Sequence, residues 1–268
     1  MRSSVRALLL ATLLLVAITA PSYGNHNWGR YHWGRSTSLF TLETGDNVGS
    51  AWDTYLNEAI TDWNQPINQP MVLKLEKVSG GTTGAACQPT LGRIEACNAA
   101  YGTNGWLGIA QIWTTNRGHI TQAVTKVNDS YFNTATYNTP AWRRLVMCQE
   151  IAHDFGLDHQ DERFSNRNLG SCMDYTNDPD GPPSNEHPNA HDFEQLAEIY
   201  SHVDSSTTVG ALPPTAAPVD LNAPSSWGQL VRSNAAGRVQ TFERGLGRGA
   251  KLVTHVFWAD PEHDANHH

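Results

Sequence analysis

Residues 148–175 read CQEIAHDFGLDHQDERFSNRNLGSCMDY, and the spacing within this stretch decides the fold. On an α-helix, residues four apart share a face, so Gln149 and His153 address one point in space while Glu150 sits beside it. Gly156 is suited to end that helix and turn the chain, which brings His159 back towards the same point. Two imidazoles, an amide oxygen and a neighbouring carboxylate form a donor set for a metal ion. The helix has a clear start, because Thr139 can cap it and Pro140 fits its first position. Ala141, Leu145, Cys148, Ala152 and Phe155 form its core stripe, and Gln149 and His153 fall at the border of that stripe.

Working outward, Ser36 to Leu42 alternates as a strand. Trp52, Leu56, Ile60 and Trp63 recur at helical spacing, with Asp46 or Asn47 as the expected N-cap. That stripe reads as core packing rather than as a carbohydrate platform. Met71, Leu73 and Leu75 alternate as a second strand. Gly105 to Trp113 and Ile120 to Val127 read as neighbouring strands. The loop DPDGPPSNEHPNAHD is marked by Pro and Gly, and Asp178 and Asp180 read as a solvated turn rather than a calcium site. His191 to Tyr200 closes this region as a helix. The expected organisation is a signal at 1–24, an arm at 25–35, a main domain at 36–204, a Pro/Ala/Thr linker at 205–226 and a β-rich tail at 227–268. The tail is too short to fold alone and is expected to dock on the main domain. His26 and His32 could make the arm metal-binding, with a mobile or docked arm as the plainer reading, and His263, His267 and His268 read most simply as a disordered tail.

The chain has 268 residues, 39% of them hydrophobic, enough for one core plus an appendage. A formal net charge of −8 argues against a nucleic-acid surface, which would be basic. Arg2 and Arg6 precede an apolar run from Ala7 to Ala20, followed by Ser22 and Gly24. This is the pattern of an export signal, with cleavage expected after Gly24 and Ala20 as the alternative site. The run falls short of the ~20 residues that span a bilayer, so no integral anchor is expected. Four cysteines in an exported chain suggest disulfides, with three connectivities available. Proximity favours Cys87 with Cys97.

Gln149, Glu150, His153, Gly156 and His159 match the extended zinc-protease motif HExxHxxGxxH, with Gln in place of the first His. Met173 follows fourteen residues after His159, in Ser-Cys-Met-Asp-Tyr. The set resembles the metzincin clan, and within it a matrixin-like group of secreted bacterial proteins that carry QExxHxxGxxH; the likeness covers about residues 37–204. The resemblance implies an α+β zincin fold with a twisted mixed sheet, a site helix, a Met-turn at Met173 and a C-terminal helix. It brings the site helix near the Met-turn, which favours a Cys148–Cys172 bond. It implies zinc, a polypeptide substrate lying along the strand around Ile109 to Ile112, and a secreted monomer. Gln149, His153 and His159 would hold the metal, Glu150 would act as general base, and Tyr175 would stabilise an oxyanion. An amide oxygen is a poorer zinc donor than imidazole. Gln149 therefore either ligates weakly, leaves completion of the site to Tyr175 or water, or signals a zincin-like binding protein without catalysis. His119, His187 and His191 were the candidate substitutes for the missing imidazole, with surface histidine as the plainer reading.

Overall fold

A computed structural model describes residues 26–210, 221–234 and 236–260. The expected signal, the centre of the linker and the terminal histidines lie outside the described residues. In chain order the elements are β1 (His32–Trp33), β2 (Phe40–Asn47), α1 (Asp53–Trp63), β3 (Leu73–Ser79), β4 (Ile94–Ala99), β5 (Trp106–Thr114) and β6 (His119–Asn128). They continue with α2 (Asp129–Phe132), α3 (Pro140–His153), α4 (Ala190–Ile199), β7 (Gln229–Ser233), β8 (Val239–Gly247) and β9 (Ala250–Trp258). The fold is α+β: a nine-stranded mixed sheet carries four helices among the described residues. The sheet runs β3-β2-β4-β6-β5-β9-β8-β7, with β1 paired to the start of β6.

The periodic segments become the expected elements, with shifted ends. Helix α1 buries Leu56, Ala59, Ile60 and Trp63. Its N-cap is Trp52, not Asp46 or Asn47, which instead finish β2. The reason is tertiary: Thr44 to Asn47 pair with β4 on one side while Phe40 to Asp46 pair with β3 on the other, so that stretch is held extended. Helix α3 starts as the sequence indicates, with the Thr139 hydroxyl accepting from the Trp142 amide and Pro140 in the first turn. Helix α4 opens with a reciprocal capping box between Asn189 and Asp192. Strand β4, short and flanked by Gly-rich turns, carries no periodic signal and was not anticipated. Among the described residues, no helix is long and apolar enough to cross a membrane.

The C-terminal segment does not dock as a separate layer. Strand β9 pairs antiparallel with β5 from Trp106↔Trp258 to Thr114↔Lys251, and β8 and β7 follow outward. Both edges of β5 are therefore occupied, by β6 and β9. The expectation that Ile109 to Ile112 offer a free backbone edge to a substrate is thus corrected. The alternating apolar residues of β9 find a deeper burial against β5 than a polypeptide ligand would require of an open cleft.

Both disulfides are Cys87–Cys97 and Cys148–Cys172. Constraining loops with sequence separations of 10 and 24 removes unfolded-state entropy equivalent to about 3 kcal/mol each. Trp63 Nε1 donates to the Cys148 carbonyl at 3.2 Å, which ties α1 to the same turn of α3.

Gly156 ends the site helix, as its position suggests, at φ +103°. A Cβ there would lie 2.3 Å from the Tyr31 carbonyl oxygen, because the N-terminal arm passes directly beneath the turn. Gly102 has a similar φ of +96° but open space around it. Gly156→Ala should therefore cost about 3 kcal/mol or more, and Gly102→Ala only the roughly 1–2 kcal/mol of backbone strain. Urea midpoints of the two variants check this; equal losses would mean that the arm does not pack against the turn.

Candidate metal centre

The last turn of α3 carries Gln149, Glu150 and His153, all buried. The turn at Gly156 returns the chain so that His159 Nε2 lies 3.0 Å from His153 Nε2. A third imidazole completes the group: His255, on β9. One ligand atom from each of His153, His159 and His255 lies within 4.8 Å of the others. The ring centroid of His255 is 4.1 Å from that of His153 and 4.4 Å from that of His159. None of the substitutes weighed from the sequence joins the group. His187 pairs with Asp62, His191 with Glu194, and His119 with Asp204.

Register explains how His255 arrives. In β9, Val253, His255 and Phe257 share one face, and Val253 and Phe257 belong to the core beneath α3. Thr254 and Val256 face the other way, where Gln111 donates to the Thr254 hydroxyl at 3.1 Å and Val256 joins Trp106, Ile109 and Trp227. His255 stands opposite Ala110. A slip of one residue would turn it out of the cluster.

The tautomer of His153 is fixed by a backbone neighbour. His153 Nδ1–H donates to the Leu157 carbonyl at 2.8 Å, so the neutral ring presents the Nε2 lone pair to His159. Trp28 stacks on His153 at 5.0 Å with an interplanar angle of 4°. Burial holds the His153 pKa down to about 3 despite the Leu157 bond, and pushes His159 and His255 well below their ordinary range, with their mutual proximity adding to this. All three imidazoles are thus kept in the form that ligates metal.

Glu150 is wholly buried, with its Oε2 3.9 Å from His255 Nδ1. Desolvation, reinforced by Asp154, raises its pKa well above the carboxylate range. Room for the side chain depends on Gly108 of β5, where a Cβ would meet Glu150 Oε1 at 2.7 Å. Asp154 is buried too, and accepts from the Thr125 hydroxyl at 2.7 Å. Tyr175 is buried against His159, Phe257 and Phe164, with ring centroids 4.4, 4.6 and 4.7 Å away. Burial, then the nearby Glu150, pushes its phenol pKa up.

The floor is built by the turn around Met173. Its amide donates to the Ser171 hydroxyl, its carbonyl accepts from the Gln160 amide, and the Ser171 hydroxyl donates to Asp192 of the α4 capping box. Gln149 Nε2 donates to the Cys172 carbonyl at 2.7 Å, alongside the disulfide that joins the same two segments. Its Oε1 has no hydrogen-bond partner.

The unsatisfied atoms are the chemical signature of the site. Both Glu150 oxygens, Gln149 Oε1, the Tyr175 hydroxyl, His159 Nδ1 and both His255 nitrogens are buried without a hydrogen bond. Each such atom costs about 1–3 kcal/mol in a dry interior. Concentrated at one place, they fit a metal ion with the groups that surround it. The residues present accordingly fit a three-histidine metal site in ligand type, and His153 fits it in tautomer as well.

The sequence analysis missed His255. It lies 96 residues beyond His159, within a segment that alternates as a strand. The available signal was a lone histidine on the apolar face of LVTHVFW, beside an otherwise incomplete ligand set.

In the unfolded chain the imidazoles take up protons as pH falls through about 6.5. The folded, metal-free protein keeps them neutral, so it binds fewer protons and loses stability as pH falls below that value, by about 1.4 kcal/mol per pH unit for each. Glu150 and Asp154 act oppositely: their contribution is present below the ordinary carboxyl range and is lost as pH rises. Replacing one imidazole isolates its share. In the presence of chelator, His255→Asn should flatten the fall between pH 6.5 and 5 by about 1.4 kcal/mol per unit, read from urea titrations. An unchanged slope would mean that His255 titrates as an open histidine. Neither protein-family models nor curated proteins give a match to this chain, so the functional reading rests on the geometry of this centre.

Proposed function

We propose that this chain is an exported zinc endopeptidase of metzincin type, with zinc held by His153, His159 and His255. The observation that carries the reading is the convergence of three neutral imidazoles beside Glu150 and the Tyr175 hydroxyl, with none of the converging oxygens satisfied. The Gln at position 149 then has a physical account. With His255 supplying the third nitrogen, an imidazole at 149 is not required, and the amide instead ties the last turn of α3 to the Cys172 carbonyl.

Zinc held there supplies Lewis acidity, lowering the pKa of water and polarising a peptide carbonyl. Glu150 takes up a proton from the attacking water and delivers it to the departing amine. The Tyr175 phenol, kept protonated by burial, donates to an oxyanion. Asp154, anchored by Thr125, raises the proton affinity of Glu150. Strand β9 fills the strand edge and Phe257 packs on Tyr175, which keeps a polypeptide from these groups, and release of β9 would withdraw His255 from the metal. The form described is therefore the closed one.

The same closure favours a second reading, a zincin-like protein that uses zinc for structure and binds without cutting. Activity separates the two. Zinc at this centre should be held about a hundredfold more weakly in His153→Ala and in His255→Ala. Glu150→Gln should retain that zinc and lose cleavage of unfolded polypeptides, measured on the intact chain and after nicking between 211 and 220. Wild-type protein that binds zinc yet cuts nothing in a diverse peptide library, nicked or intact, would establish the binding reading. An equally active Glu150→Gln would remove Glu150 from the mechanism.

A further inference from the structure

A second group of metal-type ligands lies away from this centre, at the start of β6. His119 is about 20 Å along the strand from Thr125, the residue that holds Asp154. Around it gather His32 from β1, and His202 and Asp204 from the segment that follows α4. We infer that His32, His119, His202 and Asp204 form a second zinc site, one that clamps the N-terminal arm to the main body.

The separations are the first argument. His32 Nε2 is 3.3 Å from His202 Nε2 and 3.5 Å from Asp204 Oδ2. His119 Nε2 and His202 Nε2 are 3.2 and 3.6 Å from Asp204 Oδ1. Four ligands at about 2.0–2.1 Å from a tetrahedral zinc stand about 3.3–3.4 Å from one another. These four separations, which run through both Asp204 oxygens, lie between 3.2 and 3.6 Å, around that edge length.

The tautomer of His32 is the second argument. His32 Nδ1 lies 2.7 Å from the Arg30 carbonyl, which can only accept, so Nδ1 carries the proton. That leaves Nε2 as the atom available to ligate, and it faces Asp204 Oδ2 and His202 Nε2. A carbonyl that fixes the outer nitrogen while the inner one faces the ion is the usual support of a zinc-bound histidine. The same arrangement recurs at His153 and Leu157.

Asp204 is suited to the role. Its Oδ2 accepts from the Arg35 amide at 3.0 Å, which fixes the direction of the carboxylate. The Asp204 amide in turn donates to the Arg35 carbonyl at 2.6 Å. Three chain segments distant in sequence thus meet at one point. The clamped arm carries Trp28, stacked on His153, and Tyr31, whose carbonyl abuts Gly156. Zinc at this site stabilises the support of the first centre without touching it.

The site is tested on the full chain by zinc titration calorimetry and by the d–d absorption of bound cobalt. Wild type should bind two equivalents. His153→Ala should retain one, with a tetrahedral cobalt spectrum, and that zinc should raise its Tm. Adding His202→Ala, whose side chain is half exposed and dispensable for packing, should weaken the remaining equivalent by ten- to a hundredfold and abolish the Tm shift. His32→Gln in the same background should do likewise, and in a wild-type background should leave the first equivalent in place. The inference is overturned if His153→Ala binds no zinc, or if its residual zinc is unaffected by both His202→Ala and His32→Gln. Either result is independent of whether the protein cleaves peptides.

Discussion

The antiparallel pairing of β9 with β5 is the constraint on which the rest depends. It sets the register that turns Val253, His255 and Phe257 towards α3 and thereby completes the three-imidazole group. It also consumes the hydrogen-bonding edge of β5. One contact therefore both supplies a ligand and closes the way to it. Opening the edge and keeping the imidazole group whole cannot be adjusted separately in such an arrangement, because the strand that leaves takes His255 with it.

Around that pairing the interior is unusually polar. Gln149, Glu150, His153, Asp154 and His255 all have zero exposure, a burden that an ordinary core would not tolerate. The surrounding structure is correspondingly tied. A disulfide joins α3 to the Met173 turn, Trp63 holds the same turn of α3 from below, and the α4 capping box anchors Ser171. The aromatic rings of Trp28, Tyr175, Phe164 and Phe257 close the sides. These groups fix side-chain direction before any ion is bound, which is the condition for a strong metal centre.

The N-terminal arm belongs to this construction. Trp28 donates its amide to the Gly156 carbonyl, Asn27 bridges to Leu157, and Tyr31 sets the limit on residue 156. Its far end is held by Trp33, whose indole donates to the Asp154 carbonyl, and by the histidines around Asp204. The arm thus links the two imidazole groups mechanically. Backbone carbonyls of Leu157 and Arg30 orient the rings in each.

The sequence alone determined what local chemistry determines. Thr139-Pro140 started the site helix, the 3.6-residue stripe gave its buried face, and Gly156 ended it at positive φ. The cysteine pairing followed from proximity for Cys87–Cys97 and, through the family resemblance, for Cys148–Cys172. The spacing of Gln149, Glu150, His153 and His159 gathered most of the candidate centre, because one helix and one turn carry all four. Tertiary structure alone decided the third imidazole, the occupied edge of β5 and the second histidine group. Each of these joins residues from separate segments, and strand pairing between residues as distant as Ala110 and His255 leaves no periodic trace in either partner. His255 alternates like any strand residue. Only the register of β9 against β5 turns it inward.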